Sequence, residues 1–145
     1  MAHDGAMPTL PRLTALLLCC ALSLSLAADA PLNLRLQGGG RACSGGLFVR
    51  DRTLEWHSSF STCRSTPYRV LARTPVESKA HYVLALQRPS AHCFYRLIEL
   101  EQVGEFQWNA TGYQHYADYE HRDDPAWLQG DPDGRNTLSC PMHTR

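Results

Sequence analysis

A chain of 145 residues with 14 basic and 14 acidic side chains carries no net charge at neutral pH. Its length suits one domain. Its neutrality excludes the broad cationic footprint with which proteins hold nucleic acid or an anionic membrane.

The N-terminal stretch reads as a leader. Arg12 precedes the apolar run LTALLLCCALSLSLAA, which ends in small residues. A bilayer span takes about 20 apolar residues, so the run is short for an anchor and has the order of a secretory signal peptide. Ser25-Leu26-Ala27 and Ala28-Asp29-Ala30 both offer small residues to the peptidase, but Pro31 follows the second and fits an extended subsite poorly. The expected leader is therefore residues 1–27 and the expected domain residues 28–145. Asp4 and the long approach to Arg12 leave Met7 as an alternative start. Cys19 and Cys20 lack the preceding small residue of a lipidated cysteine and are read as part of the apolar core. Cleavage removes one acid, Asp4, and one base, Arg12, so the balance is kept. The reading is a periplasmic or secreted protein with no stable membrane insertion after cleavage. Lys79 is the only lysine among many arginines; that bias is associated with GC-rich bacterial genomes, without being a mechanism.

Four cysteines remain, Cys43, Cys63, Cys93 and Cys140, an even number that predicts two disulfides in a small exported domain. A hairpin folded about Asp51 places Cys43 opposite Phe60 and close to Cys63. The expected pairing is Cys43–Cys63 with Cys93–Cys140.

In chain order, Leu32, Leu34 and Leu36 alternate with Asn33, Arg35 and Gln37, the signature of a half-buried strand. Gly38-Gly39-Gly40 interrupts it. GLFVRD and TLEWHSS form a hairpin about residues 50–52, STCRSTP is a loop, and YRVLAR is a strand. TPVESKA is a turn, HYVLALQ a central strand, RPSAH a turn and CFYRLIELEQV a strand whose alternation is imperfect. After Gly104-Glu105 comes FQWNATGYQHY, another strand. The tail from Arg122 is rich in proline and glycine and reads as mostly loop. Strands so closely spaced, without a long helical period or a repeat, predict an all-β fold. The expected form is a small antiparallel β-barrel or sandwich, stapled by two disulfides.

The stretch from Phe106 to Trp127 concentrates aromatic, histidine and acidic residues. One reading is a strand with large rings on both faces. The functional reading is a recognition surface of Trp108, Tyr113, His115, Tyr116 and Tyr119, with the Asp123–Trp127 loop beside it, because tyrosine brings contact area at low entropic cost. A metal site is not expected. In an extended chain His115 and His121 lie about 20 Å apart, and in a helix they point to opposite sides. The remaining histidines are dispersed. GDPDGRN resembles a calcium loop only in its middle: with Gly134 at the invariant glycine, Gln129 and Cys140 occupy ligand positions they cannot serve. A turn set by Pro132 and Gly134 accounts for it.

Enzyme signatures are lacking: there is no G-x-S-x-G, H-E-x-x-H, phosphate loop or G-x-G-x-x-G. No cofactor is expected. His57 beside Ser58 and Ser59 has little weight, because neighbours on a strand face opposite ways. Asn109-Ala110-Thr111 fits the N-glycosylation pattern, which has no use in a bacterial source.

Ser44-Gly45-Gly46-Leu47-Phe48 resembles the S-G-x-x-Y loop of the periplasmic C-type lysozyme inhibitors, small disulfide-containing β-barrels. It departs at the final aromatic, and the family's Y-x-x-x-T-K-G motif is missing. The resemblance spans five residues and implies an inhibitory contact at Ser44. Three expectations follow. The first is a non-enzymatic binding protein with a protein partner in the envelope or outside the cell. The others are an inhibitor of an envelope-directed hydrolase such as lysozyme, and a structural envelope protein.

Overall fold

The computed structural model describes Met1 and residues 31–74, 79–131 and 136–145. The leader, the centre of the TPVESKA turn and most of the GDPDGRN segment lie outside the described residues.

Eight antiparallel strands close into a barrel in simple sequential order. They are β1 (Leu34–Gly38), β2 (Gly45–Val49), β3 (Thr53–His57), β4 (Thr62–Arg73), β5 (His81–Leu86), β6 (Leu97–Gln102), β7 (Gln107–Tyr113) and β8 (Thr137–Thr144). Among the described residues, three one-turn helices interrupt them: α1 (Gly40–Cys43), α2 (Tyr116–Glu120) and α3 (Pro125–Gln129). The all-β expectation holds, and of its two forms the barrel is the one found.

Alternation builds the interior. Leu36, Leu47, Val49, Leu54, Trp56, Leu84, Ile98, Leu100, Ala110 and Met142 point inward and form one apolar cluster. Burial of each large side chain contributes roughly 1.5–3 kcal/mol. On β3, Leu54 and Trp56 are fully buried while Glu55 and His57 stand outside, their side chains 2.8 Å apart. Arg50 approaches the same carboxylate at 3.4 Å. The hydrogen bond from His57, then that from Arg50, holds the Glu55 carboxyl below its ordinary value against the opposing effect of burial.

On β7, Gly112 leaves room for the Tyr95 ring, which stacks on Trp56 with centroids 5.0 Å apart. A side chain at position 112 would collide with that ring. Gly45 is the second position where glycine is required: its φ is +134°, and a Cβ there would strike the His57 carbonyl.

Several expectations need correction. The STCRSTP segment is not a loop from end to end, since β4 begins at Thr62 and bends through register shifts along its length. Residues 93–96 are not strand: β6 begins at Leu97. The strand read over FQWNATGYQHY ends at Tyr113, after which the chain turns into α2. The tail is not all loop. Its last stretch is β8, which pairs with β7 over Tyr113–Gln107 and with β1 over Leu36–Gly38. Local propensity hides this strand because closure supplies its partners.

The disulfide pairing is also corrected. The bridges are Cys43–Cys140 and Cys63–Cys93. The hairpin register underlying the earlier expectation is the one observed, with Leu47 opposite Trp56 and Val49 opposite Leu54. That register leaves Cys43 on α1, beyond the end of β2, and barrel closure brings β8 and Cys140 beside it. Cys63 instead opens β4 and points inward, where the connection from β5 to β6 crosses it and presents Cys93.

Candidate functional site

Both disulfides lie at one end of the barrel. This end carries α1, residues 58–61, residues 87–96 and the excursion from β7 through α2 and α3 to β8, the last two being the longest connections of the barrel. The opposite end carries residues 50–52, 74–80 and 103–106. A rigid barrel with elaborated loops at one end is a common arrangement for a site.

Ser61 organises this rim. Its hydroxyl is buried, donates to the His92 carbonyl at 3.3 Å and accepts from the Phe94 amide at 3.0 Å. The Thr62 amide donates to the same His92 carbonyl at 2.8 Å. With the adjacent Cys63–Cys93 bridge, these bonds lock two loops together. The Ser58 hydroxyl donates to the Ser61 carbonyl at 3.1 Å, and Ser59 donates to the Arg41 carbonyl at 2.6 Å, which ties in α1.

The lock displays aromatic side chains. Phe60 is 64% exposed, Phe94 50% and Tyr116 48%. An isolated exposed ring is ordinary, but exposed rings sharing the same recesses mark an interaction surface. Three open recesses meet here, of about 610, 520 and 380 Å³. Phe94 lines all three; Phe60 lines two of them, and Tyr116 lines the third with His115.

Replacing Ser61 with alanine is expected to cost about 1–3 kcal/mol, because the part-buried Phe94 amide loses its acceptor. Denaturant unfolding measures the cost. Hydrogen exchange should show a selective loss of protection at the Phe94 amide. An unchanged midpoint would show that Ser61 does not pin the rim.

The residues singled out from sequence separate into three groups. Trp108 is interior: it is 5% exposed and stacks near Tyr82 with centroids 6.3 Å apart. Tyr113 and Tyr119 pack together against the outer wall of β5 and β6, where they cover Val83, Ala85 and Leu97. Their rings meet edge to face at 5.5 Å. His115 and Tyr116 are exposed on the rim, and Ser44 is exposed at the same end, just after α1. The Asp123–Trp127 segment is not a loop: Pro125–Trp127 belong to α3, and Asp124 caps that helix through a 2.9 Å bond from the Ala126 amide.

Behind Tyr113, Glu99 collects three donors. The Tyr113 hydroxyl donates at 2.6 Å, His81 Nε2 lies at 2.8 Å and Arg122 Nε at 3.6 Å. Arg122 also stacks over Tyr119, its guanidinium carbon 4.0 Å from the ring centroid. Burial first, and then the bond to Glu99, push the Tyr113 phenol far above its ordinary value. The tyrosine thus stays a neutral donor and the carboxylate is occupied. This cluster fastens the α2 excursion to the barrel wall. Among the described residues no group of His, Cys, Asp and Glu is arranged to hold a metal ion.

The rim residues Phe60, Phe94, Arg64, Arg96 and His92 were not anticipated. A signal was present, since Phe60 and Phe94 flank Cys63 and Cys93 within three positions. It became meaningful only once those cysteines were known to be bridged.

Comparison of the chain with models of known families, with characterised proteins and with solved structures found no match in any of the three. The fold itself defines a class: a small, closed, antiparallel barrel stapled at one end.

Proposed function

We propose that the chain is a non-enzymatic binding protein of an extracytoplasmic compartment, periplasmic or secreted, that engages a protein partner through the stapled rim. The observation that carries this reading is the display of Phe60, Phe94 and Tyr116 on loops pinned by Cys63–Cys93 and Ser61. Rings held in place before binding lose little entropy on association, and aromatic anchors dominate protein–protein contacts. The shallow recesses suit side chains of a partner better than an enclosed small molecule. Two disulfides and the leader-like N-terminus support the compartment, because such bridges persist in oxidising surroundings.

The test is capture from envelope extract with the native chain, a Phe60→Ser/Phe94→Ser variant, and a Phe106→Ser control at the opposite end. Loss of a partner by at least about tenfold, roughly 1.4 kcal/mol, is expected for the double variant alone. Identical capture by the native chain and the double variant would refute the rim.

A second reading, inhibition of an envelope-directed hydrolase such as lysozyme, is favoured by one specific observation. Ser44 is exposed at the rim end of a disulfide-stapled small barrel, the fold that the S-G-x-x-Y resemblance implies. The contrary observation is that Gly45–Val49 is strand, with Leu47 buried inside the barrel. Inhibition in a lysozyme titration that is lost on Ser44→Ala, with Phe60→Ser/Phe94→Ser unaffected, would transfer the function to that position.

A further inference from the structure

We infer that the rim recognises an acidic protein surface, one presenting carboxylates around an apolar contact. This deepens the rim reading above and rests on it. The molecule is neutral overall, yet among the described residues the only acidic or basic side chains that line the recesses beside the exposed rings, histidines apart, are arginines. Arg64 and His92 line the first recess with Phe60 and Phe94, while Arg96 and His115 line the next with Phe94 and Tyr116. Among the described residues, no aspartate or glutamate lines any of the three recesses.

After β7 the chain turns through α2 against the outer wall, where Tyr119 packs. There Arg122 meets Glu99, and Asp123 lines a separate recess with Glu101 and Ser139.

Three arginines away from the recesses stand beside acids. Arg50, Arg52 and Arg122 each approach a carboxylate. Arg64 and Arg96 are exposed and make no ion pair among the described residues. A guanidinium offers a planar fork of donors that fits a carboxylate through two parallel bonds. Two such forks beside Phe60 and Phe94 match a partner that supplies both carboxylates and an apolar anchor. The phenylalanines favour a protein over a polyanionic glycan, since they would gain little from a sugar chain's sulfates or carboxylates. Opposite charge across the contact would speed encounter and reject basic partners.

The experiment is selection of random displayed peptides on the immobilised full-length mature chain. Three variants accompany it: Arg64→Glu/Arg96→Glu, Phe60→Ser/Phe94→Ser, and Arg52→Glu as a control at the opposite end. Circular dichroism confirms that each is folded. Enriched peptides are expected to be acidic and to carry an aromatic or leucine. Their binding should fall at least about tenfold on the arginine variant, fall similarly on the phenylalanine variant, and persist on Arg52→Glu. The arginine variant itself should enrich basic peptides.

Peptides that depend on the phenylalanines but are neutral or basic would overturn the charge inference and leave the rim reading standing. The absence of any phenylalanine-dependent peptide would overturn both. Heparin is the polyanion probe. Heparin binding lost on Arg64→Glu/Arg96→Glu but kept on Phe60→Ser/Phe94→Ser, together with no acidic peptide enrichment, would replace the protein partner with a glycan.

Discussion

A chain in which Cys43 and Cys140 are both alanine is expected to be about 4 kcal/mol less stable than the native protein, within the 2–5 kcal/mol typical of a native bridge lost from a small domain. The bridge spans 97 positions of sequence, and closure of so long a loop restricts the unfolded chain strongly. Its place in the fold adds to this. The seam between β1 and β8 runs only from Leu36 opposite Thr144 to Gly38 opposite Met142, so β8 is held chiefly by β7 and by the bridge. Small domains have net stabilities of about 5–15 kcal/mol, and the loss would consume a large part of that. Denaturant unfolding of the oxidised native and variant proteins measures it. Hydrogen exchange should show β8 and the β1 edge opening before the rest of the barrel. Peptide mapping provides an independent check, because fragments joined as Cys43–Cys140 and Cys63–Cys93 are required. A variant as stable as the native chain would contradict the closing role assigned to this bridge.

Trp56→Ala should be nearly as severe, at about 3–5 kcal/mol. Trp56 is fully buried, faces Cys63 across the β3–β4 ladder and stacks on Tyr95. Removing it opens a cavity in the middle of the barrel and frees Tyr95, the ring that lies over Gly112. Trp56→Phe should be far milder, about 1–2 kcal/mol. The smaller ring retains the stacking, and the Trp56 indole N–H has no hydrogen-bond partner to lose among the described residues. A buried donor without an acceptor is itself unfavourable, so its removal offsets part of the lost volume. Urea midpoints of the three proteins test the ordering. If alanine and phenylalanine cost the same, the indole N–H is satisfied in solution and the packing account of this residue fails.

The candidate site divides along the same line as the fold. His115 and Tyr116 were legible in the sequence through the concentration of tyrosine and histidine around them, although the pattern reads them as strand residues. Trp108 and Tyr113 were equally conspicuous, but burial removes them from the surface. Composition cannot separate the two cases, since a tyrosine serves a core as readily as an interface. Tyr113 falls on the outward side of β7, and only the return of α2 across that side covers it. Phe60 and Phe94 are 34 positions apart by number and become neighbours of the same recess only through the bridged loops.

By itself the sequence determined the class of fold and most of its strands. Period-two alternation reports which side of a strand is apolar, and the turn at residues 50–52 set the β2–β3 register. The even cysteine number determined that two staples would form. The tertiary structure alone decided closure, and closure decided nearly everything else. It recruited β8 from a tail without an evident strand pattern, selected Cys140 as the partner of Cys43, and placed the long loops together at one end. The physical reason is that a strand edge satisfies its hydrogen bonds through whichever strand lies beside it. The first and last strands of a barrel are neighbours in space while being farthest apart in the chain, so no local pattern records their contact.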